Sequence, residues 1–207
     1  MTRTIHDADS HVMETPTWLE PWAEPYVAER MPPLFVASVK PGEESFIEQL
    51  RREHRDPEFR AADEAEIWLR KNWKATGSFI KEDRPRALDL LGFESQLVFH
   101  TFMNGMLLKA EKGDDLDYAY GLARAHNRAI VDFCSVDPRL LPVGYVPLAD
   151  FERTAAFAAE AIEAGCKALM IPSACPRNHS PSHTGLFPLW DQAQDAGLPI
   201  IYHVGGG

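Results

Sequence analysis

The chain has 207 residues, 45% of them hydrophobic and 25% charged, a balance that excludes collagen-like, disordered and disulfide-scaffold proteins. With 21 basic against 31 acidic side chains the formal net charge is −10, so neither a nucleic acid nor an anionic membrane surface is an expected partner. No apolar run approaches the roughly 18 residues of a membrane span, and the opening MTRTIHDADSHVMETPTWLE lacks the apolar stretch of a secretory signal. The three cysteines, Cys134, Cys166 and Cys175, are odd in number and lack a C-x-x-C spacing, which fits free thiols in a reducing cytoplasm.

In chain order, Thr4–His11 reads as a strand. About seventy residues rich in Pro, Trp and charge follow, with two predicted helices, at 43–54 and, after Asp56-Pro57, at 58–74. This stretch is too long for a βα connection and too structured for a linker, so residues 13–82 read as a helical insertion. Asp83-Arg84-Pro85 opens a short helix that Gly92 ends, and Gln96–Thr101 is a buried strand. An apolar helical stripe runs from Leu116 to Ser135, and Leu141–Pro147 is again strand-like. Asp150 caps the helix FERTAAFAAEAIEA, which Gly165 closes. Lys167–Ile171, a helix over 186–196 closed by Gly197, and the strand Pro199–Val204 complete the pattern.

Strands that are apolar on both faces and alternate with helices indicate a parallel sheet in an α/β fold. Five strands fit an open doubly wound sheet. They also fit the first five strands of a (β/α)8 TIM barrel, which typically needs about 250 residues. The chain stops at Gly205-Gly206-Gly207, directly after a strand, so residues 1–207 are expected to be the N-terminal part of one longer barrel domain.

The sharpest chemical feature is Asp7-Ala8-Asp9-Ser10-His11 at the end of the first strand. Strict alternation puts Asp7, Asp9 and His11 on one face. Two acids and a histidine there suit a divalent cation, zinc included; a solvated, turn-capping strand end fits the same residues. His203, at the end of the strand PIIYHV, tips the balance toward a metal, because side chains at the C-terminal ends of barrel strands reach the active site.

These residues lie in segments that resemble a known family. DADSHVMETPTW, RALDLLGFESQLVF, NRAIVDFCSVDPRLLPVGYVPL, GCKALMIPS, LFPLWDQAQDAGLPI and YHVGGG are similar, in this order and spacing, to the amidohydrolase-related group that includes aminocarboxymuconate-semialdehyde decarboxylase and the resorcylate decarboxylases. The resemblance covers nearly the whole chain and is weakest in the insertion. It implies a TIM barrel holding one divalent ion, zinc or else manganese, with Asp9, His11 and His203 at the matching ligand positions. It also implies a metal-dependent hydrolase or carboxy-lyase acting on a small aromatic or unsaturated carboxylic acid. Decarboxylation and hydrolysis or hydration share these ligands. Two further family residues, a proton-transferring histidine and a metal-binding aspartate, have no counterpart here and are expected beyond Gly207. A cytoplasmic enzyme without nucleic-acid or membrane partners follows, and a homodimer is compatible with it.

Three other side chains are candidates for substrate contact: His100 at the end of the second strand, Arg177 in the loop after the fourth, and Trp18 beside the metal motif. Packing under the insertion fits His100 as well, a solvated loop fits Arg177, and a packing anchor fits Trp18. His126 reads as structural, and His6 and His54 as surface residues. The cysteines have no neighbours that would activate a thiolate. Other functions fare worse or stay open. No G-x-S-x-G elbow accompanies HVGGG, which excludes an α/β serine hydrolase. A phosphate-cradling glycine run and a non-catalytic chain with an incomplete metal site remain as alternatives.

Overall fold

The computed structural model describes residues 4–32, 34 and 45–203. Five parallel strands form the sheet: β1 (His6–His11), β2 (Ser95–Phe99), β3 (Leu140–Tyr145), β4 (Ala168–Ile171) and β5 (Ile200–Tyr202). Their order is the chain order, β1-β2-β3-β4-β5. A doubly wound sheet reverses direction at a switch point, whereas a barrel adds each strand beside the last. The sequential order therefore settles the architecture as a curled half-barrel. The expected end of the last strand at Val204, and the glycines after it, lie outside the described residues.

The helices are α1 (Pro25–Ala28), α2 (Phe46–Glu53), α3 (Pro57–Ala65), α4 (Arg84–Leu91), α5 (Met103–Glu111), α6 (Leu116–Cys134), α7 (Phe151–Glu163) and α8 (Phe187–Asp195). Four of them, α2, α3, α6 and α7, start where the residue before the helix satisfies free N–H groups with its side chain. Asp150 accepts from Arg153 N at 2.9 Å to open α7, and Asp115 accepts from Tyr118 N at 2.9 Å to open α6. Ser45 and Glu48 form a reciprocal capping box on α2; residues 43 and 44, where that helix was expected to begin, lie outside the described residues. Gly92 ends α4 with φ +74°, a left-handed turn that glycine takes without strain. Leu88, Val98, Ile130, Phe133 and Leu140 fill the space between the sheet and its outer helices.

Two expectations change. The helix predicted over 58–74 stops at Ala65, and a short 3-10 turn follows at Asn72–Lys74. Asp63 is buried and accepts from Thr76 N at 2.9 Å, a bond that requires the chain to fold back rather than continue. His54 is not a surface residue: it is 2% exposed, and its Nε2 lies 3.0 Å from the Trp73 carbonyl oxygen.

Candidate metal centre

The first motif does not present Asp7, Asp9 and His11 together. Asp7 pairs with Gln96 and Ser10 with Val98, so three steps of β1 oppose two of β2, and the strand bulges between Asp7 and Ser10. An extra residue reverses the alternation. Asp7 and Ser10 thus share the helix-facing side, where Asp7 Oδ2 accepts from Gln96 Nε2 at 3.1 Å and Ser10 Oγ accepts from Arg84. Asp7 Oδ1 also accepts from the Asp9 N–H at 3.0 Å, within the bulge itself. Asp9 and His11 face the inside of the curl. Asp7 is a bulge-holding residue.

His203 follows β5, at the opposite edge of the sheet from β1. Curvature across five strands brings it back to the first: its Nε2 lies 3.1 Å from Asp9 Oδ1, and its ring centroid 5.1 Å from that of His11. His11 Nε2 lies 3.2 Å from the same Asp9 oxygen. One ligand atom from each of the three residues falls within 4.8 Å of the others. Tetrahedral zinc with bonds of about 2.0–2.1 Å separates its ligands by about 3.3 Å, so the spacing suits a shared ion. Phe99 floors the cluster, with its ring 5.7 Å from His11 and 4.9 Å from His203. The Asp9 side chain is 72% exposed, which leaves the cluster open to a substrate.

The tautomer of His11 supports a cation. Its Nδ1 lies 2.7 Å from the His100 carbonyl oxygen, an acceptor only, so Nδ1 carries the hydrogen. The lone pair then sits on Nε2 and faces the Asp9 carboxylate. Two acceptors 3.2 Å apart need a proton or a cation between them. Burial opposes ionisation of Asp9, but the imidazoles of His203 and His11 beside it outweigh burial and hold its carboxyl below the usual range. The donor set of one carboxylate and two imidazoles fits zinc and manganese alike.

The three expected substrate contacts are not brought to this cluster. Phe99 faces inward, so His100 faces outward, where its Nδ1 lies 3.2 Å from His126 Nε2 in α6. It is 4% exposed, and burial holds its imidazole well below the usual pKa. Its contribution to the centre is its backbone carbonyl. Trp18 packs against Phe133 of α6, ring centroids 5.9 Å apart. Arg177 stays exposed in the loop after β4 and pairs with Asp114.

Sequence reasoning passed over several buried charges, among them Arg84 and Glu14. Arg84 donates from Nη1 to the carbonyl oxygens of Gly77 at 3.1 Å and His11 at 3.3 Å. Glu14 is fully buried and accepts from the backbone N–H groups of Thr101, Phe102 and Met103 at 2.9, 3.1 and 3.2 Å. Burial pushes its carboxyl up to about 7, against the lowering pull of these donors. Glu14 stands inside the HVMET segment with nothing local to mark it.

Residues 7–207 match the amidohydrolase family profile. Among solved structures, an amidohydrolase from Mycobacterium avium subsp. paratuberculosis K-10 aligns with TM-score 0.68 and 16% identity, over 99% of this chain and 60% of that one. A 5-carboxyvanillate decarboxylase from Novosphingobium aromaticivorans, with bound manganese and 3-methoxy-4-hydroxy-5-nitrobenzoic acid, aligns with TM-score 0.55 and 18% identity, over 97% of this chain and 50% of that one. A 4-oxalomesaconate hydratase from Rhodopseudomonas palustris aligns with TM-score 0.53 and 14% identity, over 97% and 52%. No protein of curated function matches. The chain thus spans between half and three fifths of the length of these structures, and identities this low speak to the fold alone.

Proposed function

The chain belongs to the amidohydrolase family, and on that premise we propose that it is a divalent-metal-dependent enzyme acting on a small aromatic or unsaturated carboxylic acid, by non-oxidative decarboxylation or by hydrolysis or hydration. The observation that carries this reading is the convergence of Asp9, His11 and His203 from the two edges of the sheet. A divalent ion held there would supply Lewis acidity and lower the pKa of a bound water towards about 7. Asp9 brings the negative charge, and its bulge turns the carboxylate inward. His11 brings Nε2, oriented by the His100 carbonyl, and His203 brings a second imidazole across the curl. Neighbouring folds that carry a decarboxylase and a hydratase favour these reaction classes over others.

Residues 13–82 are assigned to specificity. Their Trp73 stacks on Phe102 at 5.0 Å, beside the end of β2, so the insertion borders the rim where the ligands emerge.

The test is elemental analysis of protein purified without chelator, with carbon dioxide release and substrate loss followed on a panel of hydroxybenzoates and unsaturated diacids. About one equivalent of metal is expected, lost in Asp9→Ala and in His203→Ala. Both variants keeping the full equivalent would remove the basis of the proposal.

A further inference from the structure

Among the described residues, Glu14 is a carboxylate with no solvent contact and no cation among the groups that hold it. Apart from its own backbone N–H, the hydrogen-bond donors to its carboxylate belong to one short turn, residues 101–103, at the N-terminus of α5. That turn begins one residue after His100, whose carbonyl oxygen receives the His11 Nδ1 hydrogen. Three more bonds lace the same two segments together. Val12 N donates to Phe99 O at 2.9 Å, Thr101 Oγ1 donates to Val12 O at 2.8 Å, and Thr101 Oγ1 also lies 3.4 Å from His11 Nδ1.

We infer that Glu14 is a positioning residue: by clamping the backbone of residues 101–103 it aims the His100 carbonyl at His11, and so fixes the tautomer and orientation of a metal ligand it never touches. The inference deepens the metal-enzyme reading above and takes His11 as a ligand from it. The physical basis is the number of donors converging on one buried carboxylate. An ionised carboxylate offers acceptors only, and three converging N–H groups offer donors only, so the match leaves no freedom to rotate the turn. The contacts from Thr101, Phe102 and Met103 end on Oε1, and a second from Phe102 ends on Oε2. Glutamine can keep the first three on its amide oxygen, but its NH2 then stands where Oε2 was, against the Phe102 N–H, so the turn must shift and the His100 carbonyl moves with it. Residues that orient a ligating histidine through its second nitrogen typically govern metal affinity by roughly 10- to 100-fold.

The experiment compares the wild-type chain with Glu14→Gln at pH 8, where the carboxylate is ionised, with two readings. The first is the tautomer of His11 in the metal-free protein, from imidazole nitrogen-15 chemical shifts. The second is zinc affinity, by titration against a chromophoric chelator. Wild type should show His11 with hydrogen on Nδ1 alone, and Glu14→Gln a mixture of tautomers with zinc bound roughly 10- to 100-fold more weakly. Leu189→Ala, a cavity variant in α8, serves as the control for lost stability and should leave the His11 tautomer as in wild type. If Glu14→Gln does not fold, Glu14→Asp, which keeps the charge one methylene shorter, takes its place with the same readings. An unchanged His11 tautomer in the Glu14 variant overturns the inference, whatever the affinity does. A wild-type chain that binds no zinc removes the metal reading instead, and the tautomer still decides whether Glu14 orients His11.

Discussion

Glu14 should leave a mark on stability that is separable from every other acid in the chain. Burial raises its carboxyl from the ordinary glutamate value of 4.5 to about 7 in the folded protein. Between those two values the native state holds a proton that the unfolded chain has released. The stabilisation from that proton is therefore complete below pH 4.5 and is lost as pH rises through 7. At about 1.36 kcal/mol for each step of one on the pH scale, the full span corresponds to about 3 kcal/mol, of which about 2 kcal/mol falls between pH 5.5 and 8. Glu14→Gln cannot titrate, so the difference in unfolding free energy between wild type and variant should fall by about 2 kcal/mol over that interval. The assay is urea unfolding at several pH values in the presence of a chelator, which removes any contribution from bound metal. Glu111, whose carboxyl is also raised by burial, is present in both proteins and cancels in the difference. A wild-type-minus-variant difference that stays constant to within about 0.5 kcal/mol from pH 5.5 to 8 would refute the assignment of a buried, proton-holding carboxyl to Glu14.

Two further outcomes rest on packing. In Gly144→Ala the new methyl would stand 2.6 Å from Cys166 Sγ and 3.2 Å from its Cβ, so the variant should lose about 1–3 kcal/mol in urea unfolding, with partial recovery in the double variant with Cys166→Ala; wild-type stability in Gly144→Ala alone would contradict the close approach of β3 to Cys166. Cys134 and Cys166 are buried, with thiols pushed up to about 12 by burial, while Cys175 is exposed. A thiol reagent at pH 8 should therefore modify one cysteine quickly in the folded protein and three after denaturation, and three equal native rates would count against this packing.

The sequence by itself determined the elements whose signals are local. Asp150 and Gly165 bracket α7, Gly92 closes α4, and runs such as LPVGY and KALMI read as strands, because caps, turns and apolar periodicity act within a few residues of where they are written. It also placed Asp9, His11 and His203 at strand ends, since a strand end is a position along the chain. Only the tertiary structure decided which way those ends face. The bulge that turns Asp9 inward and Asp7 outward is a mismatch in pairing between β1 and β2, segments about ninety residues apart, and pairing cannot be read from one strand alone. The helix α5 went unpredicted for the same reason. Its N-terminus has no side-chain cap nearby, and the N–H groups there are satisfied by Glu14, 89 positions before Met103. His54 was read as a surface residue, and His100 stood between substrate contact and packing, because a lone histidine carries no sign of its depth; burial is a property of what packs over it. The hydrogen on His11 Nδ1 is likewise set by a carbonyl 89 residues away, so the chemistry of that ligand exists only once β1 and β2 lie side by side.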